Sequence, residues 1–466
     1  MTFAQYTAQS VSDARILVHL DIGQRDVQWV NWGAGLWAVN TDNLYSWVDA
    51  SLLDGFTAQG FAAIGSVHVD GVLQTDAGSM LALVTTAESF WYDGAGTLWV
   101  HLVNHDAPSL HAIFIGVVYG YSFDEFTPVG AEQLYEGRLL GAPSISTRRD
   151  PLYFGRISFG GGSITLANGD GYFDSWTTDN DIYGNEARVY LGYDGLDLSE
   201  YERLYTGYIE NVVLGEDVLE VAITDRRKQL TASITYTCTA QNALDAIVEI
   251  LTTAYPVTYN DTYFDTTAWA EAQASVETVT ISMDDSAPVI DVIEDICTSV
   301  FGVFFVTPDN KFSFRLVDTG ASAETTIRAG DVMNRNRIIY NPSEVLSSAR
   351  IGYIVADVLT YHDADQYEAS VFNAYKTYSE RTFDTQLDTV TAATAYGETI
   401  MQYTKDVHGV FEMQLPMLYY ALEVGEMVDA EIWRAQSAML ATARSEILEV
   451  RYDLAGPTLT LGLRIA

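Results

Sequence analysis

Two cysteines, Cys238 and Cys297, are all that the 466 residues contain. They are too few for a disulfide framework and carry no zinc-type spacing, so neither a cross-linked scaffold nor a zinc module is expected. Positive charge is scarce as well: 24 Lys and Arg stand against 63 Asp and Glu, a formal net charge of −39. Nucleic-acid binding needs protein cations to replace condensed counterions, which argues against direct or sequence-specific recognition of DNA or RNA. The seven histidines are His19, His68, His101, His105, His111, His362 and His408, and none lies in an H-E-x-x-H context or beside a reactive cysteine. A G-x-S-x-G elbow is missing too. Long apolar runs are absent: Ile16–Leu20 is interrupted by His19 and stopped by Asp21. That is too short for a signal peptide, and no stretch approaches the roughly 18 apolar residues of a membrane helix. The chain is expected to stay in the cytosol after synthesis, with no stable membrane association.

Apolar residues make up 48% of the chain and charged residues only 19%, enough for sizeable cores and too little charge for global disorder. The 29 Tyr, 19 Phe and 9 Trp favour sheets over helices. At this length, three or four domains are expected. The acidic excess has two readings. One is solubility, or adaptation to salty surroundings; the other is a conduit whose carboxylates repel a passing polyanion so that it does not stick.

Period-two stretches separated by Gly and Asp turns fill residues 1–130, predicting an N-terminal β-sandwich-like domain. Its strands are Val27–Val30, Leu36–Val39, Ala62–Val69, Met80–Val84 and Thr97–Val103, and Ser89–Val103 reads as a hairpin. Asp124, Glu125 and Pro128 mark a linker within Ser122–Gly130. A second β-rich domain, 131–236, carries Gln133–Leu140, Gly161–Ala167, Glu186–Tyr193, Glu202–Asn211 and Asp217–Thr224, and ends in the basic run Asp225-Arg-Arg-Lys-Gln-Leu230. The period then changes. Residues 237–326 are expected to form an α/β insertion: a helix over Thr239–Thr253, then one over Ser286–Val300 capped by Asp285 or Ser286 and stopped by Gly302. A hairpin, Val303–Val306 with Lys311–Leu316, follows around Pro308-Asp-Asn310. The last domain, 327–466, returns to strands (Ala349–Val355, Leu359–Tyr361, Val410–Leu415, Met427–Trp433, Ser445–Tyr452, Thr458–Arg464) with one helix, Thr391–Gln402. No repeat of fixed short period is visible.

Several clusters resemble chemistry without completing it. His101 and His105 are four apart, but the strand pattern and Pro108 deny them one helical face. Phe159-Gly-Gly-Gly-Ser163 lacks the Lys-Ser/Thr ending of a phosphate loop and leads into a strand, so a turn or bulge is expected. Asn168–Asp174 and Asp179–Glu186 alternate oxygen-bearing side chains, which suits calcium, yet neither completes a twelve-residue calcium loop, and the same residues build tight turns. Among 63 acids some carboxylate pair is always available, so a glycosidase pair cannot be singled out. Phe90, Trp91, Tyr92 and Trp99 either stack on sugar rings or fill a sandwich core. No catalytic, cofactor-binding or metal-binding residue is assigned, and the chain is expected not to be an enzyme.

Four motifs in order carry a resemblance. They are Tyr135-Glu-Gly-Arg-Leu139 with Gly162–Asp174; Leu204-Tyr-Thr-Gly-Tyr-Ile-Glu-Asn211 with Leu219–Asp225; the helix Ser286–Val300 with Phe301–Val306 and Lys311–Phe314; and Val424-Gly-Glu-Met-Val428 with Glu446–Asp453 and Leu459-Thr-Leu461. Over about Tyr135–Ala466 the chain resembles the phage tail baseplate hub proteins, with Glu426 where Asp is usual. The resemblance implies a mainly β, multidomain chain in which two hub-type β-barrels flank a helix-plus-hairpin domain. It further implies a homotrimer whose six quasi-equivalent barrels meet a six-fold tail tube. The expected partners are a distal tail ring protein, a tape measure protein and a spike or tail fibre protein. Such a protein resides in the virion after assembly in the host cytoplasm. A receptor- or glycan-binding tail protein is the alternative, and a cell-wall hydrolase a lesser one.

Overall fold

In a computed structural model, the first 121 residues are described at the strands 14–24, 38–39, 45–48, 63–69, 72–73, 75–76, 89–92, 97–101 and 113–121. From 122 onward all residues are described except 128–134, 151–154, 159, 175, 177–179, 256, 284, 319, 335–337, 341–343, 357, 365–367, 377, 434–439, 455 and 466. The chain is mainly β, and it divides into two compact units: Met1–Pro143 with Gly162–Thr224, and Ser144–Gly161 with Asp225–Ala466.

In the first unit the labelled strands are β1 (Ala14–Gln24), β2 (Ala63–Val69), β3 (Ser89–Tyr92), β4 (Thr97–His101), β5 (Ile113–Tyr121), β6 (Leu139–Gly141), β8 (Gly161–Ala167), β9 (Glu186–Tyr193), β10 (Glu202–Leu214) and β11 (Val218–Thr224). Strand β7 (Ser144–Arg148) belongs to the second unit. The main sheet runs β6-β8-β11-β10-β9-β1-β5-β2. Strand β1 pairs antiparallel with β9, from Ala14 opposite Tyr193 to Leu20 opposite Ala187, and with β5 on its other side. Strands on both sides of position 130 therefore share one sheet, because Ile16, Leu17, Val18 and Leu20 are all buried there. The segment read as a linker is hydrogen-bonded: Phe126 N–H donates to Tyr135 O at 3.0 Å, and Ser122 N–H to Glu136 O at 2.8 Å. The expected hairpin at Ser89–Val103 forms, with Trp91 opposite Trp99 across β3 and β4. Val27–Val30 and Met80–Val84 lie outside the described residues.

The second unit holds helices α1 (Ala243–Ala254), α2 (Thr266–Gln273), α3 (Val289–Ser299), α4 (Glu368–Tyr375) and α5 (Val390–Thr404). Its labelled strands are β12 (Gly302–Val306), β13 (Phe312–Leu316), β14 (Ser348–Val355), β15 (Val358–Ala364), β16 (Glu380–Asp384), β17 (Gly409–Pro416), β18 (Met427–Trp433), β19 (Leu440–Asp453) and β20 (Thr458–Ile465). Helix α1 begins at Ala243, where its apolar stripe begins, and not at the expected Thr239. Residues 237–242 are extended against 278–282, and Asn242 caps the helix by accepting from Leu244 N–H at 3.0 Å. Helix α3 begins after Pro288 with no side-chain cap, so neither Asp285 nor Ser286 caps it; Ala287–Pro288 instead pairs with Ser233–Ile234. The left-handed residue that ends α3 is Phe301, at φ 52°, and not Gly302. Gly302 serves packing, since a Cβ there would lie 2.2 Å from the Phe314 ring.

Ile247, Ile250, Ile293, Ile296, Phe304 and Phe314 close the core between α1, α3 and the β12–β13 hairpin. Burying each side chain of this size contributes about 1.5–3 kcal/mol. Helices α2 and α4 went unrecognised in the sequence. Helix α2 is held by Trp269, fully buried, whose indole N–H donates to Phe312 O at 2.9 Å. Strands β15-β14-β16 form a small sheet, and α5 covers it with Ala393, Tyr396 and Ile400. The remaining sheet runs β18-β19-β20-β17, flanked by Thr325–Ile327 and Ile339–Tyr340, with β7 added on β19. Among the described residues no helix is long and apolar enough to cross a membrane.

Candidate functional site

The first sequence motif pair meets in space. Arg138 forks onto Asp170, Nη1 to Oδ1 at 2.9 Å and Nη2 to Oδ2 at 2.8 Å, while its Nε donates to Glu136 at 2.6 Å. Its guanidinium lies 4.1 Å from the centre of the Tyr172 ring. Bonding to Arg138 holds the Asp170 carboxyl down at about 2. Asn168, fully buried, staples the turn: Oδ1 accepts from Phe173 N–H at 2.8 Å, and Nδ2 donates to Asp174 and to Gly215 O. Gly171 takes φ +71°, as the turn requires. Phe173 then packs edge-on against Trp176, with centroids 4.6 Å apart. Asp170 and Asn168 thus have in-chain partners that account for the turn. In the second acidic cluster, Asn180–Asp181 pairs with β1 and Asp179 lies outside the described residues. Among the described residues, no group of three His, Cys, Asp or Glu is placed to hold a metal.

The basic run is pinned rather than offered. Arg227 is buried: Nη2 donates to Asp225 at 2.6 Å and to Ser158 O at 2.9 Å, and Nη1 to Phe304 O at 3.1 Å. Asp225 also accepts from Gly160 N–H at 2.5 Å, which ties down the glycine run. Arg226 lies over the Phe312 and Tyr263 rings. Within the run, Lys228 and Gln229 are exposed.

The second and fourth motifs, with the strands beside them, build one module twice. The first comprises β8, β9, β10 and β11 in the spatial order β8-β11-β10-β9; the second comprises β17, β18, β19 and β20 in the order β17-β20-β19-β18. In both, three consecutive strands form a meander and the preceding strand returns beside the last, a Greek key. The correspondence reaches single residues. Gly184 (φ +80°) donates to Ile209 O at 2.8 Å, and Ile209 N–H to Asn185 O at 2.9 Å. Gly425 (φ +89°) donates to Ile447 O at 2.9 Å, and Ile447 N–H to Glu426 O at 2.9 Å. Directly beyond Ile209 and Ile447 each long strand carries a β-bulge, at Glu210 and at Leu448. In each module the neighbouring strand's pairing stops just before the bulge, β9 at Tyr208 and β18 at Glu446. The G-E-x-V motif at 425–428 therefore has a structural counterpart, Gly184-Asn-Glu-Ala187, which shares only the glycine in sequence.

Glu426 helps fix the start of β18. Its carboxylate accepts from Glu423 N–H at 3.0 Å and pairs with Arg315 at 3.0 Å. Burial pushes that carboxyl up against the opposing pull of Arg315. The second module also encloses charge that sequence reading did not find. Fully buried Arg149 pairs with Glu446, whose other oxygen accepts from Tyr403 Oη at 2.5 Å, and Arg464 lies 3.4 Å over the Tyr403 ring. His408 donates from Nδ1 to Ile465 O at 2.8 Å, and burial lowers its pKa. His101 lies in β4 and His105 outside the described residues.

No family model and no curated protein matches the chain. Among solved structures it is similar to the tail protein from Neisseria meningitidis MC58, at 12% identity and TM-score 0.43, over 70% of this chain and 94% of that one. It is similar to the 43 kDa tail protein of prophage MuSo2 from Shewanella oneidensis, at 12% identity and TM-score 0.45, over 72% and 96%. A third is prophage tail protein gp18 from Listeria monocytogenes EGD-e, at 9% identity and TM-score 0.41, over 70% and 89%. The solved structures similar to this chain thus include phage tail proteins, at low identity.

Proposed function

We propose that this chain is a structural subunit of a phage tail tip, a hub that assembles as a homotrimer, closes the tail tube and guides DNA release. The observation that carries the reading is the duplicated module, with the same strand order, glycine and bulge in each copy. Two equivalent modules per chain turn three copies into six similar docking surfaces, which is how a threefold object meets a sixfold one. The ordered motifs of the hub resemblance fall on these modules and on the α3 hairpin region between them in sequence. On this reading a distal tail ring protein docks on the modules, a tape measure protein occupies the lumen, and a spike or fibre protein follows below. The net charge of −39 suits a passage through which DNA slides without adhering. The subunit works by packing and electrostatics and needs no catalytic residue or cofactor. It is made in the host cytoplasm and ends in the virion.

Light scattering and electron microscopy of the purified full chain test the reading. Three-copy rings with six similar densities are expected. A chain that stays monomeric at high concentration and forms no ring overturns it.

A further inference from the structure

The two modules differ in one respect. In the second, the part of β19 beyond the bulge is covered on its outer side by β7, which runs antiparallel with Ser144 opposite Asp453 and Arg148 opposite Glu449. Arg149 N–H extends the pairing to Leu448 O at 2.9 Å, at the bulge itself, and its side chain reaches Glu446. Ile145 points inward and is buried. In the first module the matching stretch of β10, Asn211–Leu214, has β11 on one side and no described strand on the other. Gly215 N–H donates to Val218 O, so Gly215, Val213 and Asn211 direct their backbone groups at β11. By alternation, Val212 and Leu214 direct theirs to the open side. Val213 and Leu214 are exposed at 53% and 37%. The hairpin around them bears Glu216, Asp217 and Glu220, all exposed, with no Lys or Arg between residues 204 and 225.

We propose that Asn211–Leu214 of β10 is a docking ledge that takes up an extended, cationic strand of a separate partner protein by antiparallel β-addition. The mode is the one β7 already uses on the second module: main-chain bonds give affinity, an inward apolar residue gives register, and the basic residue that follows, Arg149, meets the acid Glu446 beside the bulge. An open strand edge with exposed Val and Leu and no guarding Lys or Pro is a template for pairing. Its acidic rim selects a basic occupant over another copy of this chain, whose charge is −39. Nothing in this mode of docking depends on the chain being a tail hub.

The probe is a labelled peptide of residues 143–150, Pro-Ser-Ile-Ser-Thr-Arg-Arg-Asp, added in excess to the full chain, with hydrogen exchange as the readout. Exchange at the Val212 and Leu214 amides is expected to slow by about tenfold or more, and a peptide carrying R148E and R149E is expected to have no effect. The paired variant Glu216→Lys and Glu220→Lys changes exposed positions on the hairpin; it is expected to weaken peptide binding by about tenfold. Protection confined to residues 449–453, or unchanged exchange at Val212 and Leu214, overturns the proposal. Protection of those two amides that rises with protein concentration alone assigns the ledge to a second copy and overturns it equally.

Discussion

Glu446 is buried and shared by Arg149 and Tyr403, so its loss removes the carboxylate that Arg149 and Arg464 face. Replacing it by Ala is expected to destabilise the chain by about 3–5 kcal/mol, measured as a lower urea midpoint. The joint replacement of Arg149 by Met and Glu446 by Leu is expected to cost much less, because the paired charges leave together. Glu294 offers a pH test. Burial pushes its carboxyl up to about 7, with Arg227 and Arg156 opposing and Asp291 and Asp295 adding to the rise. Its folded value lies above the unfolded one, so the native state holds the proton longer. The associated stability is present below the unfolded value and is lost as pH rises through about 7. Glu294→Gln is therefore expected to stabilise the chain by about 1–2 kcal/mol at pH 8 and hardly at all at pH 4, read from thermal unfolding at both pH values.

At the scale of the element, the module's defining device is a glycine with positive φ that hands the chain into a strand beside the bulge. Around Gly184 no atom lies within 4 Å of an added Cβ, and around Gly425 the nearest is at 3.7 Å, so space limits neither position. The cost of Ala is then the left-handed conformation alone, about 1 kcal/mol at each. Equal losses for G184A and G425A in denaturant unfolding would agree with equivalent modules; a much larger loss at one would set them apart. Gly302 differs in kind: a methyl there meets the Phe314 ring at 2.2 Å, and G302A is expected to cost about 1–3 kcal/mol by overpacking. Element identities were largely legible. Alternation marked β8 to β11 and β17 to β20, and the stripe Ala243, Ile247, Ile250 and Leu251 marked α1. Helices α2 and α4 escaped because they are short and draw their stability from packing, Trp269 on Phe312 being one example.

For the whole molecule, a net charge of −39 sets the response to salt. Copies of such a chain repel one another over about 10 Å at 0.1 M salt, and added salt shortens that reach. Self-assembly into the proposed trimer is therefore expected to strengthen between about 50 mM and 500 mM salt, visible as a rising trimer fraction in analytical ultracentrifugation. A basic strand docking on the acidic β10 ledge should respond in the opposite sense, which separates the two kinds of association.

Side-chain order along the chain determined by itself where most strands and the helices α1, α3 and α5 form, and that the molecule is mainly β. Periodicity reports which face of an element is apolar, and burial then follows. It carries no record of which backbone edge meets which, because N–H and C=O groups are the same at nearly every residue. Only the tertiary structure decided that β1 and β5 join the sheet of β9, that Ser144–Arg148 leaves its sequence neighbours to pair with β19, and that Arg149 finds Glu446 nearly three hundred residues away. The same holds for the edges beyond the two bulges: β7 covers that of β19, while among the described residues no strand covers that of β10.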